Sequence, residues 1–88
     1  ADSLEFEGAL GRLTKWHVDS AGDQVQEALA ELQRAGFEHG DLRAQNVLVF
    51  QFDAERISVK LADFGSAAPF EGGDRLDLLR EEMHALRG

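Results

Sequence analysis

The sequence predicts an α+β fold in which helices pack around a small β-hairpin. Apolar residues recur at helical three- and four-residue steps in segments 23–35 and 75–87. Between these segments, two runs rich in β-branched residues, 47–50 and 57–61, flank a polar connection, which is the pattern of a hairpin. With no internal repeat and no low-complexity tract, these patterns indicate one small domain or a piece of a larger one.

The first element expected is a helix over residues 3–17. Its apolar residues fall mostly at helical steps, and Asp2 and Glu5 can act as an N-terminal capping pair. Gly8 and Gly11 each disfavour this helix by about 1 kcal/mol relative to Ala, so its intrinsic stability is lower than that of the later helices.

A second helix is expected over residues 23–35. The segment Ser20–Asp23 supplies residues suited to its start, and Gly36 is typical of the position just after a helix. Polar side chains lie mainly on the other face, as in a surface helix. Its apolar stripe consists of Val25, Ala28, Leu29, Leu32 and Ala35.

The hairpin is expected to join strands 47–50 and 57–61 through the connection 51–56. That connection has six residues, which is a little long for a hairpin loop. Both strands consist largely of residues that fit a pleated, half-buried surface.

The last element expected is a helix over residues 75–87. Asp74 is suited to the N-cap, so that 74–87 forms the C-terminal helix. One face of this helix contains Leu76, Leu79, Met83 and Leu86.

Composition excludes several classes of function. The 88 residues include nine Lys plus Arg against seventeen Asp plus Glu, and the net charge of −8 argues against partners such as nucleic acid or an anionic membrane. The absence of cysteine excludes disulfides, cysteine zinc sites and thiol nucleophiles. It also fits a reducing compartment, so an intracellular, cytoplasmic location is expected. No apolar run is long enough for a transmembrane helix or a signal peptide.

Three oxygen-bearing side chains are predicted to lie close together at one end of the hairpin. Asp41 and Asn46 precede its first strand, and Asp63 follows its second. Each alone is an ordinary turn or capping residue. Because the two ends of a hairpin meet, Asn46 and Asp63 can converge, and two such oxygens suit Mg²⁺ when phosphate and water complete its octahedron. Asp41 would then lie beside the metal, where a base is needed for attack on a phosphoryl group.

Two motifs in this region resemble the protein-kinase family. The catalytic loop H-R-D-L-x-x-x-N of that family is similar to the run His39-Gly40-Asp41-Leu42-Arg43-Ala44-Gln45-Asn46. Its magnesium motif D-F-G is matched by Asp63-Phe64-Gly65. The likeness extends over residues 23–66, about half of the chain, and includes the helix before the loop. It implies a fold like the core of a protein-kinase large lobe, so that residues 1–88 form part of that lobe.

The resemblance also implies roles for individual residues. Asp41 would be the catalytic base, and Arg43 would stand near the transferred phosphate. Asn46 and Asp63 would hold Mg²⁺ and so bind ATP, and Leu48 would pack beneath the adenine.

The same resemblance implies packing roles for two further residues, His39 and Phe64. These would fix the loop and the D-F-G turn. The segment Asp74–Leu79 resembles the start of the buried central helix of the family.

The sequence also departs from the kinase pattern. Gly40 replaces the Arg that pairs with a phosphorylated activation loop, so control by such phosphorylation is not expected. The long activation segment expected beyond Gly65 is missing. Neither a glycine-rich phosphate loop nor a lysine in a V-A-I-K context is present, so half of the ATP site is absent from these residues.

Three hypotheses about function follow. The first is that the chain is part of an ATP- and Mg²⁺-dependent kinase domain that acts on protein hydroxyls, and that the isolated chain is inactive. The second is a pseudokinase or truncated kinase that binds a protein partner through its helices. The third, based on the H-G-D spelling at Gly40, is a small-molecule kinase of the aminoglycoside or choline type.

Overall fold

The computed structural model describes residues 4–5 and 12–87 and confirms the α+β class. Its helices are α1 (Lys15–Arg34) and α2 (Leu76–Arg87), with 3₁₀ turns at Ala44–Asn46 and Phe64–Ser66. Its strands are β1 (Leu4–Glu5), β2 (Phe37–Glu38), β3 (Val47–Asp53), β4 (Arg56–Leu61) and β5 (Ala68–Pro69). An antiparallel sheet has the order β1-β3-β4, and β2 pairs separately with β5, also antiparallel.

Helix α1 begins earlier than the sequence predicts. Thr14 is its N-cap and forms a capping box with His17, so the expected start at Ser20–Asp23 is wrong. These polar residues lie inside the helix because the apolar stripe continues upstream through the buried residues Val18 and Ala21. The helix ends as expected, since Gly36 has a φ of +88° just beyond it.

The expected helix over 3–17 is wrong at residues 4–5, and only its last residues, 15–17, are helical, as the first turn of α1. Leu4 and Glu5 form β1, which pairs with Val49 and Leu48 of β3. Backbone pairing with a distant strand therefore overrides the local helical spacing. The proposed partner of Glu5 in capping, Asp2, lies outside the described residues.

The hairpin is confirmed, but its strands are longer and its loop shorter than predicted. Strands β3 and β4 pair as far as Asp53 and Arg56, which leaves Ala54 and Glu55 as the loop. The carboxylate of Asp53 accepts hydrogen bonds from the backbone N–H groups of Glu55 (2.8 Å) and Arg56 (3.0 Å), which closes the tight turn. A register shift after Val49 marks a bulge in β3, a feature that alternation of residue types does not reveal.

Two side chains of α1 attach the helix to the hairpin. Gln24 donates to the carbonyl of Ile57 (2.7 Å) and accepts from the N–H of Val59 (2.9 Å), so it pairs with the edge of β4. The buried ring of His17 bonds through Nε2 to the carbonyl of Asp53 (2.7 Å). These bonds satisfy backbone polar groups of both hairpin strands.

Replacement of Gln24 by Leu is expected to lower the free energy of unfolding by about 1–3 kcal/mol. The change keeps the size of the side chain but leaves the backbone groups of Ile57 and Val59 without their partner. Urea denaturation of the chain measures the effect. Gln33→Leu on the exposed face of α1 is the matched control, and an equal change in both variants would contradict the role of Gln24.

Helix α2 packs across α1, with Leu79 and Met83 buried between them and the loop before β3. Leu76 is partly buried, as expected, but Leu86 is 40% exposed and lies outside the core. Arg80 crosses over Gly22 of α1, where a Cβ atom would overlap its guanidinium group, and pairs with Asp23 (3.0 Å). In the described part of the chain, no helix is long and apolar enough to cross a membrane.

Candidate active site

The loop between β2 and β3 is organised by a buried histidine. His39 is fully buried, and its Nε2 bonds to the carbonyl of Ala62 (2.7 Å) while the N–H of Asp41 donates to Nδ1 (3.2 Å). A neutral imidazole satisfies both contacts, with Nε2 as donor and Nδ1 as acceptor. Its ring also lies 4.9 Å from that of Phe64. His39 therefore ties the loop to the segment after β4.

Asp41 and Asn46, both predicted site residues, are in direct contact. The side-chain amide of Asn46 donates to the carbonyl of Asp41 (2.7 Å) and to its carboxylate (3.2 Å). Asn46 is buried, whereas the Asp41 side chain is one-third exposed. The loop thus presents the carboxylate of Asp41 to solvent from a fixed support.

Arg43 pairs with the same carboxylate. Its Nε lies 3.3 Å from Oδ1 of Asp41, and its side chain is 54% exposed. An exposed ion pair of this kind contributes about 0–1 kcal/mol to stability. The guanidinium group is therefore easily displaced and can turn toward an incoming anion.

Asp63 lies at the point where β4 ends. The N–H of its neighbour Ala62 donates to the carbonyl of Asn46 (2.8 Å), so the two predicted ligands are carried by hydrogen-bonded segments. Asp63 has φ 58° and ψ 68°, and it alone among the described non-glycine residues has a positive φ. That conformation costs roughly 1–2 kcal/mol. Strain of this kind is concentrated at functional sites.

Leu48, the residue expected beneath an adenine, lies in β3 between two buried valines. Val47 and Val49 point into the core, so alternation places Leu48 on the opposite face of the sheet, where it is half-buried. This face lies away from the core that the sheet shares with α1.

Sequence reasoning missed two supports that come from around α2. The carboxylate of Asp74 accepts from the N–H groups of His39 (2.7 Å) and Gly40 (3.0 Å), so its predicted role as N-cap of the last helix is wrong. Glu82 accepts from the N–H of Ala44. A strong N-cap signal at Asp74 hid its longer-range role, since nothing in the local pattern indicates a partner 34 or 35 residues earlier.

Asn46 and Asp63 have side-chain oxygens of the kind that a hard divalent cation accepts. Both hydrogens of the Asn46 amide nitrogen are used by Asp41, which leaves the amide oxygen as the group available to a ligand. Asp63 adds an exposed carboxylate. Among the described residues, no cluster of three His, Asp or Glu side chains could hold a metal alone, so phosphate and water would have to complete the coordination.

Comparison with known proteins gives a family. Residues 10–84 match the family model described as protein tyrosine and serine/threonine kinase. Mitogen-activated protein kinase kinase 10 of Arabidopsis thaliana is 35% identical over 57 residues, which are 65% of this chain and 17% of that relative. No solved structure matches. Since the family model spans most of the chain, including its catalytic-loop and D-F-G motifs, the chain belongs to the protein tyrosine and serine/threonine kinase family.

Proposed function

We propose that this chain is part of the large lobe of an ATP- and Mg²⁺-dependent kinase domain that transfers phosphate to protein hydroxyls. Residues 23–66 would supply the helix, catalytic loop, hairpin and D-F-G turn, and α2 would support them. The relative named as a protein kinase kinase supports a protein acceptor. Because the chain spans only 17% of that relative and has no glycine-rich loop, we expect the isolated chain not to catalyse.

The contact between Asn46 and Asp41 carries the proposal. It holds the Asp41 carboxylate in a fixed, one-third exposed position beside an amide oxygen that suits Mg²⁺. A carboxylate placed in this way can accept the proton of an attacking hydroxyl. Arg43, which pairs with Asp41 before substrate binds, would move to the transferred phosphate.

Asn46 and Asp63 are the proposed metal ligands. The bound Mg²⁺ would neutralise charge on the phosphates of ATP during transfer. Asp63 provides a full negative charge, and the left-handed backbone at this residue sets the direction of its side chain. Leu48, on the outer face of the sheet, would contact the adenine.

A small-molecule acceptor is the second candidate because of Gly40. The φ of this residue is +87°, and a Cβ atom would overlap the carbonyl oxygen of Ser66, so the Arg of the kinase motif cannot be accommodated here. The backbone thus requires the H-G-D spelling, which this chain shares with small-molecule kinases of the aminoglycoside or choline type. Assays should accordingly include amino-alcohol and sugar acceptors beside proteins.

Binding of Mn²⁺, used as a paramagnetic substitute for Mg²⁺, tests the metal site. In the kinase domain that carries this chain, with ATP present, we expect Mn²⁺ to broaden the amide resonances of Asn46 and of residues 62–65 first. Asp63→Ala removes the charged ligand and should weaken this effect about tenfold or more. Titration followed by two-dimensional NMR gives both the location and the apparent affinity.

Asp77→Ala is the matched control for the metal site. Asp77 is exposed on α2, where the side chain of Arg75 lowers the pKa of its carboxyl group. Its replacement by alanine should leave the broadening unchanged. Broadening that persists in the Asp63 variant, or that is centred on other residues, would overturn the assignment of Asn46 and Asp63.

A further inference from the structure

The segment Ala67–Gly73, which we call the strap, connects the D-F-G turn to α2 and folds back onto the start of the catalytic loop. Its residues Ala68 and Pro69 form β5, which pairs with β2. The N–H of Phe70 then donates to the carbonyl of Gly36 (2.9 Å). The strap therefore has a defined path along the residues that precede His39.

Glu38 holds the second half of the strap. Its carboxylate accepts from the N–H groups of Glu71 (2.6 Å) and Gly73 (3.2 Å). A Cβ atom at Gly73 would lie 2.8 Å from the other carboxylate oxygen, so any other residue here would require the Glu38 side chain to shift. Hydrogen bonds to an ionised acceptor are about twice as strong as neutral ones.

A second carboxylate makes the reciprocal contact. Asp74, directly after the strap, accepts from the N–H groups of His39 and Gly40, directly after Glu38. Each segment thus carries the carboxylate that binds the backbone of the other. The carbonyl of Ser66 lies against Gly40 and fills the space of a side chain.

We propose that Glu38 is a positioning residue that makes the strap and the catalytic loop open and close as one cooperative unit. The closed arrangement then requires no phosphate on the strap, since carboxylates and backbone N–H groups already hold it. Asp63 lies just before this unit, so its backbone is fixed together with the loop. The importance of this arrangement for phosphate transfer rests on the proposed function, but the coupling itself does not.

Amide hydrogen exchange in the 88-residue chain tests the coupling. In Glu38→Ala, the amides of Glu71 and Gly73 lose their direct acceptor. Cooperative opening predicts that His39 and Gly40, which bind Asp74, also exchange about tenfold faster. Glu71→Ala, with the same charge change on a side chain that forms no hydrogen bond among the described residues, should leave all four amides unchanged.

Faster exchange confined to Glu71 and Gly73 would overturn the proposal, since it would show a local contact only. The core amides of Val25 and Val59 report global unfolding. If these core amides also exchange faster in Glu38→Ala, the isosteric variant Glu38→Gln is used instead. The coupling then predicts that the four loop and strap amides change together, and unchanged amides would refute it. The exchange experiment uses no nucleotide and no metal. Coupled exchange together with a failure of Mn²⁺ to bind would therefore contradict the proposed function but not the coupling.

Discussion

Asp41→Asn is expected to lower kcat for phosphate transfer by about 10²–10⁴-fold in the kinase domain that carries this chain. The amide keeps the shape of the carboxylate and can still accept from Asn46. It cannot take a proton from the attacking hydroxyl, and it no longer attracts Arg43. The change should leave KM for ATP nearly unaltered, because Asp41 is not a proposed metal ligand. Initial rates with labelled ATP and protein acceptors measure both kcat and KM.

Asp77→Asn on the exposed surface of α2 is the control for this experiment, and its rates should equal those of the unsubstituted protein. Equal rates for the Asp41 variant would contradict the assignment of the base. If the unsubstituted protein transfers phosphate neither to proteins nor to small acceptors, the chain fits a pseudokinase that binds a protein partner.

Elements determined by local patterns could be predicted from the sequence. The apolar stripe that begins at Val25 and the glycine at Gly36 are sufficient to predict the second half of α1 and its end. The two runs of β-branched residues are sufficient to predict the hairpin. The spacing of Asp41 and Asn46 also led to a contact that the structure contains, because five residues of one tight loop bring their side chains together.

The remaining features depend on partners far away in the chain. Leu4 becomes part of a strand because β3 offers it hydrogen bonds, and Ser20 stays helical because buried residues of α1 lie on both sides of it, from His17 to Leu29. Asp74 has a side chain suited to helix capping, yet it binds the catalytic loop instead. A single sequence shows which residue types could form such contacts but not which residues pair with each other. The long-range contacts that support the site could therefore not be predicted from the sequence.

Leu79→Ala is expected to destabilise the fold more than any other change discussed, by about 2–5 kcal/mol. Leu79 is 2% exposed and packs beside the fully buried Met83 in the core. The total stability of a chain of 88 residues is about 4–13 kcal/mol, so the variant would lose a large part of it. Urea denaturation followed by circular dichroism measures the difference.

Leu78→Ala provides a closely matched control. The two leucines are adjacent in α2, so both substitutions change helix propensity equally, but Leu78 is 51% exposed. Its replacement should change stability by less than about 0.5 kcal/mol. Similar losses in both variants would contradict the packing of α2 described above. A selective loss in Leu79→Ala would show that burial of this helix stabilises the elements that hold Asp74 and Glu82 against the catalytic loop.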